Sequence, residues 1–393
     1  MAPFAETPIT TLHDTSSVEV FKEPDLLDGW WTSKFLFALE RRAIFSKTWI
    51  CITHRSRFNK PGDYISFELA GFPILLILGK DKIARAFHNV CRHRAYTVTK
   101  RPAGSSLVLG CRYHGWSYDT KGKLVKAPQF DGIEGFDRSE NSLFAIQTCT
   151  DRQGFVHINL DAGRKVHAPD LEDFLDFSGQ HGISPDSKWL TGWELSGAFN
   201  WKTIGASDRT GIGTPTTSPS SPSSFSSILS VFYPPILSTT PYHTFVLSFP
   251  TVIFIFPASA HFATATALPV SPASTTIKID IFTTGPATSL SPPAKQILES
   301  FFLAYLGRLE THYDAHKYIR YEHGEPKQLP LLKEHLRHER LKGREMYPGR
   351  PRVGNSEGFC RAEKVCNELD ILAKERKAKG HGRVDSMQGE LEW

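Results

Sequence analysis

The chain of 393 residues lacks a long apolar run. A transmembrane helix needs about 18 or more apolar residues. The nearest approach, Phe245 to Phe256, is shorter and contains Pro250. Met1 to Asp14 is polar and lacks the apolar run of a secretory signal. We therefore expect a soluble, cytoplasmic protein that does not bind membranes.

Cysteine and net charge are also low. The chain has six cysteines, and Cys51, Cys149, Cys360 and Cys366 are scattered, which is typical of buried thiols in a reducing compartment. A disulfide framework is therefore not expected. The net charge is +5, which is small for this length and does not indicate a nucleic-acid partner.

The remaining two cysteines lie in two close Cys/His pairs, Cys91 with His93 and Cys111 with His114. Thiolates and imidazoles in equal number suit zinc or an iron–sulfur centre. In a Rieske [2Fe–2S] centre, two thiolates hold one iron and two imidazoles hold the other, which requires such mixed pairs. The spacing therefore predicts a [2Fe–2S] cluster on these four residues. A zinc-binding interaction domain is the alternative.

The surrounding sequence predicts short antiparallel strands. Alternating or apolar runs separated by turn residues occur at 63–69, 73–78, 83–89 and 107–109. Each Cys/His pair follows one of these runs, so we expect a small β domain that holds its metal between two loops. Before it, Ser33 to Trp49 predicts one amphipathic helix, with Glu40, Arg41 and Arg42 on its polar side.

The two runs NVCRHR (89–94) and CRYHGWSY (111–118) resemble the Rieske domain of Rieske non-haem iron oxygenases, α-subunit type. This family includes aromatic-ring-hydroxylating and choline-monooxygenase-like enzymes. The resemblance implies that the cluster accepts electrons from an NAD(P)H-dependent reductase or a ferredoxin. It also implies a mononuclear Fe(II) that activates O2 for hydroxylation, dihydroxylation or demethylation of a small organic substrate, and a homo-oligomer, a trimer in the family.

The predicted fold class is α+β, with a small antiparallel Rieske domain and a larger catalytic-type domain of antiparallel sheet and helices (helix-grip-like). We expect an N-terminal arm and helix at 1–47 and the Rieske domain at 48–160. The larger domain is expected at 161–204 and 246–393. Residues 205–245 form a low-complexity insert rich in Ser, Thr and Pro.

This insert replaces the expected iron-binding motif. In the family, a run like Asn200-Trp201-Lys202 leads into a helix with an acidic residue and a His-x4-His pair. Here Thr214 to Ser227 consists of Ser, Thr and Pro apart from Phe225, and Asp208 is the only acid between Lys202 and His243. Because family-like sequence resumes near Phe249, we hypothesise a retained intron, a missed exon or a reading-frame slip.

Other candidate iron ligands are weaker. His243 and His261 stand alone, and we expect a surface position for His243 and a structural role for His261. Candidate carboxylates are Glu310, Asp314 and Glu325. His312 and His316 would share one helix face and could chelate a metal, as could His335 and His338, although basic neighbours oppose a cation there.

Two functions remain open at this point: an oxygenase α subunit, and an electron-transfer or inactive homologue without mononuclear iron. Near the cluster, we expect Trp116 to act as a packing cover. Ser117 and Tyr118 are expected to donate hydrogen bonds to sulfur. Arg92 and Arg94 are either solvated or contact a partner subunit.

Overall fold

The computed structural model describes residues 25–130, 132–163, 166–206, 244–256, 259–286, 289–319, 326, 328–347 and 371. These residues form three antiparallel sheets and a few helices, which confirms the predicted α+β class. None of the described helices has the length and apolarity needed to span a bilayer. The predicted insert at 205–245 and the predicted final helix at 359–377 lie almost entirely outside the described residues.

A seven-stranded sheet forms the first half of the structure, in the order β1-β10-β9-β4-β3-β2-β5. Adjacent strands within this sheet are all antiparallel. Its strands are β1 (Ile50–His54), β2 (Asp63–Leu69), β3 (Phe72–Leu78), β4 (Ala84–His88), β5 (Ala103–Ser105), β9 (Ala145–Thr150) and β10 (Phe155–Asn159).

A small sheet of three strands completes this half: β6 (Val108–Gly110), β7 (Ser117–Asp119) and β8 (Leu124–Lys126). A separate hydrophobic cluster joins it to the seven-stranded sheet and includes Phe87, Trp116, Tyr118 and Phe130. The β4–β5 connection and the β6–β7 turn both lie beside this cluster, and they carry the two Cys/His pairs.

The second half is built on a five-stranded sheet in the order β11-β15-β14-β13-β12. Helix α4 packs on it, because Phe301, Phe302 and Tyr305 contact Phe254 edge-on. The elements are α2 (Glu172–Gln180), β11 (Lys188–Gly197), α3 (Thr203–Ala206), β12 (Thr244–Ser248), β13 (Thr251–Phe256), β14 (His261–Ser271), β15 (Ser274–Thr283), α4 (Pro292–His316) and α5 (Leu329–Lys342).

The predicted N-terminal helix is shorter than expected and changes its winding. Helix α1 covers Lys34–Glu40, and a π-helical turn follows at Arg41–Phe45. The amide of Ser46 donates to the Arg41 carbonyl at 3.1 Å, five residues back, which closes the wider turn. The prediction of one helix to Trp49 is therefore wrong, since it ends at Phe45.

The predicted polar face of this helix is also wrong for two of its three residues. The Glu40 side chain is 0% exposed and that of Arg42 is 3% exposed. Arg42 forms an ion pair with Glu339 on α5 at 2.7 Å. Charged side chains are seldom buried without such a partner. The N-terminal segment therefore packs into the interior of the second half.

Glu40 binds the Asn200-Trp201-Lys202 run. Its carboxylate contacts the Lys202 ammonium directly and accepts from the Trp201 indole N–H at 2.8 Å. The Asn200 amide donates to the carbonyls of Trp31 and Pro272. Burial lowers the pKa of Lys202, against the opposing effect of Glu40. This run therefore fastens the N-terminal segment to the five-stranded sheet.

Candidate metal centre

The two Cys/His loops share one backbone pattern. The Cys91 carbonyl accepts from Ala95 N at 3.0 Å, and the Cys91 amide donates to Tyr96 O at 2.7 Å. In the second loop, Cys111 makes the same two bonds with Gly115 N and Trp116 O, at 2.9 and 2.8 Å. Ala95 and Gly115 both have positive φ, which closes each turn. The loops are therefore pseudo-symmetric about the space between them.

The two thiols meet in that space. Cys91 is 2% exposed and Cys111 is 3% exposed, and they hydrogen-bond to each other. This bond and burial raise the pKa of Cys91, whereas accepting the bond lowers the pKa of Cys111 to about 6. One thiol therefore loses its proton more readily than the other, and a thiolate is the form that binds metal.

The two imidazoles also meet. The ring centroids of His93 and His114 are 4.5 Å apart, with the planes 72° apart. Trp116 is fully buried and stacks on His93 at 5.1 Å with an interplanar angle of 9°. Tyr113 lies on the other side, 3.9 Å from the His114 ring. Trp116 thus has the packing position expected for it, and His114 lies nearest the surface.

Tyr118 and Ser117 differ in what they contact. The Tyr118 hydroxyl lies 3.3 Å from Cys91 Sγ and accepts from Arg92 N at 3.1 Å. Burial is the main reason that the pKa of Tyr118 is raised, so the phenol stays protonated and can donate to sulfur. The Ser117 hydroxyl donates to Gly115 O at 3.0 Å instead, and its bond to sulfur stays a prediction.

Arg92 packs within its own chain. Its guanidinium donates to Ser142 O at 2.8 Å and lies over the Phe144 ring at 3.9 Å. The Arg92 side chain is therefore not simply solvated, which was one of the two positions considered from the sequence. Arg94 is half-buried.

The four residues fit a [2Fe–2S] cluster better than a single ion. Among the described residues, no group of three or more His, Cys, Asp or Glu side chains is arranged to hold one metal ion. A Rieske cluster does not require this, because each iron takes only two protein ligands. Opposed thiols and opposed imidazoles on two matching loops supply such a divided donor set.

The other candidate ligands are dispersed. Glu310 accepts from Ala198 N at 2.8 Å, and Asp314 pairs with Lys317 at 2.8 Å. His335 is buried and contacts Glu339 at 3.2 Å. His261 is half-buried at the start of β14. Asp208, His243 and Glu325 lie outside the described residues.

A cleft of about 560 Å³ lies between residues 47–49, the end of β10, the start of α2 and Phe249. Trp49, Asp161 and His167 are among its lining residues, and none of the four Cys/His residues lines it. Lys47 and Asp161 form an ion pair at 2.7 Å at this place. The cleft is therefore separate from the candidate metal centre.

Comparison with known proteins identifies the class. The sequence profile of the Rieske [2Fe-2S] domain matches residues 48–137. The carnitine monooxygenase oxygenase subunit of Acinetobacter baumannii is 34% identical over 175 residues, which are 44% of this chain and 47% of the relative. The biphenyl dioxygenase α subunit of Paraburkholderia xenovorans is 33% identical over 165 residues, covering 40% and 35%.

A similar architecture occurs in a solved structure, that of a quaternary ammonium Rieske monooxygenase in complex with L-carnitine. Its TM-score is 0.59 at 26% identity, and the match covers 73% of this chain and 83% of that one. The chain contains a Rieske domain, which implies a [2Fe–2S] cluster, and is a homologue of Rieske non-haem iron oxygenase α subunits. It spans about half the length of the curated relatives it matches.

Proposed function

We propose that this chain is the oxygenase component of a Rieske-type system. Electrons from a reductase or ferredoxin would pass through the cluster to a mononuclear non-haem iron, for O2-dependent hydroxylation or demethylation of a small organic substrate. The observation that carries this proposal is the pair of matching loops with opposed thiols and opposed imidazoles. Carnitine monooxygenase subunits among the relatives make L-carnitine the first substrate to assay.

The proposal assigns Cys91 and Cys111 to one iron of the cluster and His93 and His114 to the other. A bound [2Fe–2S] cluster supplies one-electron transfer. The chain's own residues then have separate tasks. Trp116 excludes water from the His93 side, and Tyr118 donates to Cys91 sulfur. His114, half-buried beside the exposed Tyr113, marks the side nearest to solvent.

The proposed domain division follows from the same assignment. The Rieske domain would cover 48–160, and the catalytic-type domain 161–204 with 246–393. No step at a mononuclear iron is assigned to a residue, because the described residues contain no three-ligand site for one. The second candidate function is a Rieske electron-transfer or inactive homologue, and it is favoured by the sequence, which carries no His-x4-His pair after Lys202.

Iron analysis of the purified chain separates the two functions. About three irons per chain supports the oxygenase, and about two supports a chain with the cluster alone. An L-carnitine assay with reductant and O2 then tests turnover in the first case. Zinc in place of iron would overturn both functions and leave the zinc-binding domain.

A further inference from the structure

The last two turns of α4 carry two histidines on one face. His312 and His316 are four residues apart, which places them on successive turns of the helix. Their ring centroids are 4.2 Å apart and the planes differ by 23°. Both side chains are half-buried. Neither residue belongs to the candidate metal centre.

The spacing of the rings is close to that of a chelate. A metal about 2.1 Å from one nitrogen of each ring would place the two ring centroids about 4.5 Å apart if bound at a right angle, and about 5.3 Å apart at the tetrahedral angle. The observed centroid distance is 4.2 Å, so the two rings must move apart by about 0.3–1.1 Å to bind one metal ion. Rotation of the His312 ring about its Cβ–Cγ bond brings the metal into both ring planes, while the His316 ring keeps its orientation.

One ring has its proton fixed on the nitrogen away from the site. His316 Nδ1 lies 2.8 Å from the His312 carbonyl oxygen. A carbonyl only accepts, so Nδ1 carries the hydrogen and Nε2 keeps its lone pair. Metal-binding histidines are commonly oriented in this way, with the second ring nitrogen donating to a carbonyl or carboxylate.

The electrostatics also favour a cation. The site lies at the C-terminal end of α4, where the helix dipole is negative. The adjacent charged residues are two acids and two bases, namely Glu310, Asp314, Arg308 and Lys317.

We propose that His312 and His316 bind a divalent transition-metal ion, each through one ring nitrogen. Imidazole donors suit Zn²⁺, Cu²⁺, Ni²⁺ and iron rather than Mg²⁺ or Ca²⁺. The described residues provide no third His, Cys, Asp or Glu ligand, so water completes the coordination. This site is independent of the proposed oxygenase function.

Titration calorimetry of the full, cluster-loaded chain with Zn²⁺ tests the site. We expect the wild type to bind one ion that His312→Gln and His316→Gln each lose, while the exposed His338→Gln on α5 keeps it. Binding that persists in both α4 variants, or that is absent from the wild type, overturns the proposal. Unchanged unfolding midpoints show that the variants fold. If one of the two α4 variants does not fold, the other still tests the site.

Cu²⁺ supplies the identifying signal. With the cluster oxidised and diamagnetic, the copper EPR spectrum should show coupling to two imidazole nitrogens in the wild type and to one in either α4 variant. A spectrum identical in all three proteins contradicts the site. Iron analysis of the double variant H312Q/H316Q separates this site from the proposed oxygenase iron. If the double variant loses a third iron, that iron was bound by this pair; if it retains the third iron, that iron is bound elsewhere in the chain.

Discussion

Glu40 and Lys202 are 162 residues apart in the sequence and form a buried ion pair in the folded chain. The side chains are 0% and 4% exposed, and Trp30 lies 4.8 Å from the Lys202 ammonium. A buried charge is tolerated only with a partner of this kind. The pair therefore holds the N-terminal helix against the Asn200-Trp201-Lys202 run, which precedes most of the five-stranded sheet.

Replacing Glu40 by Gln should destabilise the protein by about 3–5 kcal/mol, because it leaves the Lys202 charge buried without a carboxylate. Urea unfolding gives the value. The double variant E40Q/K202M should recover most of the loss, since it removes both charges. Glu299→Gln, in an exposed pair with Lys295, is the control and should change stability by less than about 1 kcal/mol. Equal effects of E40Q and E299Q would contradict the buried pair.

Tyr118→Phe should lower the reduction potential of the cluster. A hydrogen bond to a thiolate sulfur stabilises the more negative, reduced state, and about 1 kcal/mol of such stabilisation corresponds to about 40 mV for one electron. A spectroscopic redox titration measures the shift. Ser117→Ala is the matched control, because the Ser117 hydroxyl donates to Gly115 O. A larger shift for S117A than for Y118F would reverse the assignment.

His54 should make stability depend on pH. Burial lowers the pKa of His54, so between its folded value and the unfolded value of about 6.5 only the unfolded chain takes up a proton there. The free energy of unfolding should therefore fall with decreasing pH below about 6.5, by up to about 1.4 kcal/mol per pH unit from this group.

The variant His54→Leu removes that contribution and should flatten the slope, since the ring lies among Phe155, Phe262 and Phe282. Urea unfolding at several pH values between about 5 and 7.5 gives the slope of the unfolding free energy against pH for each protein. His338→Leu, at an exposed position, serves as control. Identical slopes for H54L and wild type would show that His54 does not carry the effect.

The sequence predicted the local features of the candidate site well. Each Cys/His pair lies within four residues, and strand patterns on both sides define where its loop begins, so the loops could be placed without tertiary information. The family resemblance was confirmed by the comparisons, while the cluster ligands and the domain boundaries stay predictions.

The N-terminal helix could not be predicted in the same way. A run of Glu40, Arg41 and Arg42 is typical of a solvated face, and only their partners show otherwise. Arg42 binds Glu339, 297 residues away in the sequence. Ion pairs between residues so far apart produce no periodic pattern in the sequence. The π-helical turn likewise has no sequence pattern that would predict it.

The Ser/Thr/Pro-rich insert yields a prediction at the level of the transcript. If an intron was retained, an exon missed or the frame shifted, the mature message should lack the segment from Thr214 to Ser227. It should encode instead an acidic residue and a His-x4-His pair after Lys202. Sequencing the transcript checks this. A mature message that encodes the segment unchanged would contradict the hypothesis and favour the electron-transfer homologue.

The central claim is a [2Fe–2S] cluster held by Cys91, His93, Cys111 and His114. The EPR spectrum of the dithionite-reduced chain tests it most directly. We predict that the wild type is coloured before reduction and gives a Rieske-type signal after it. The variants Cys111→Ser and His114→Ala should each lose that signal. A colourless protein that contains zinc, or a reduced protein without a Rieske-type signal, would contradict the account.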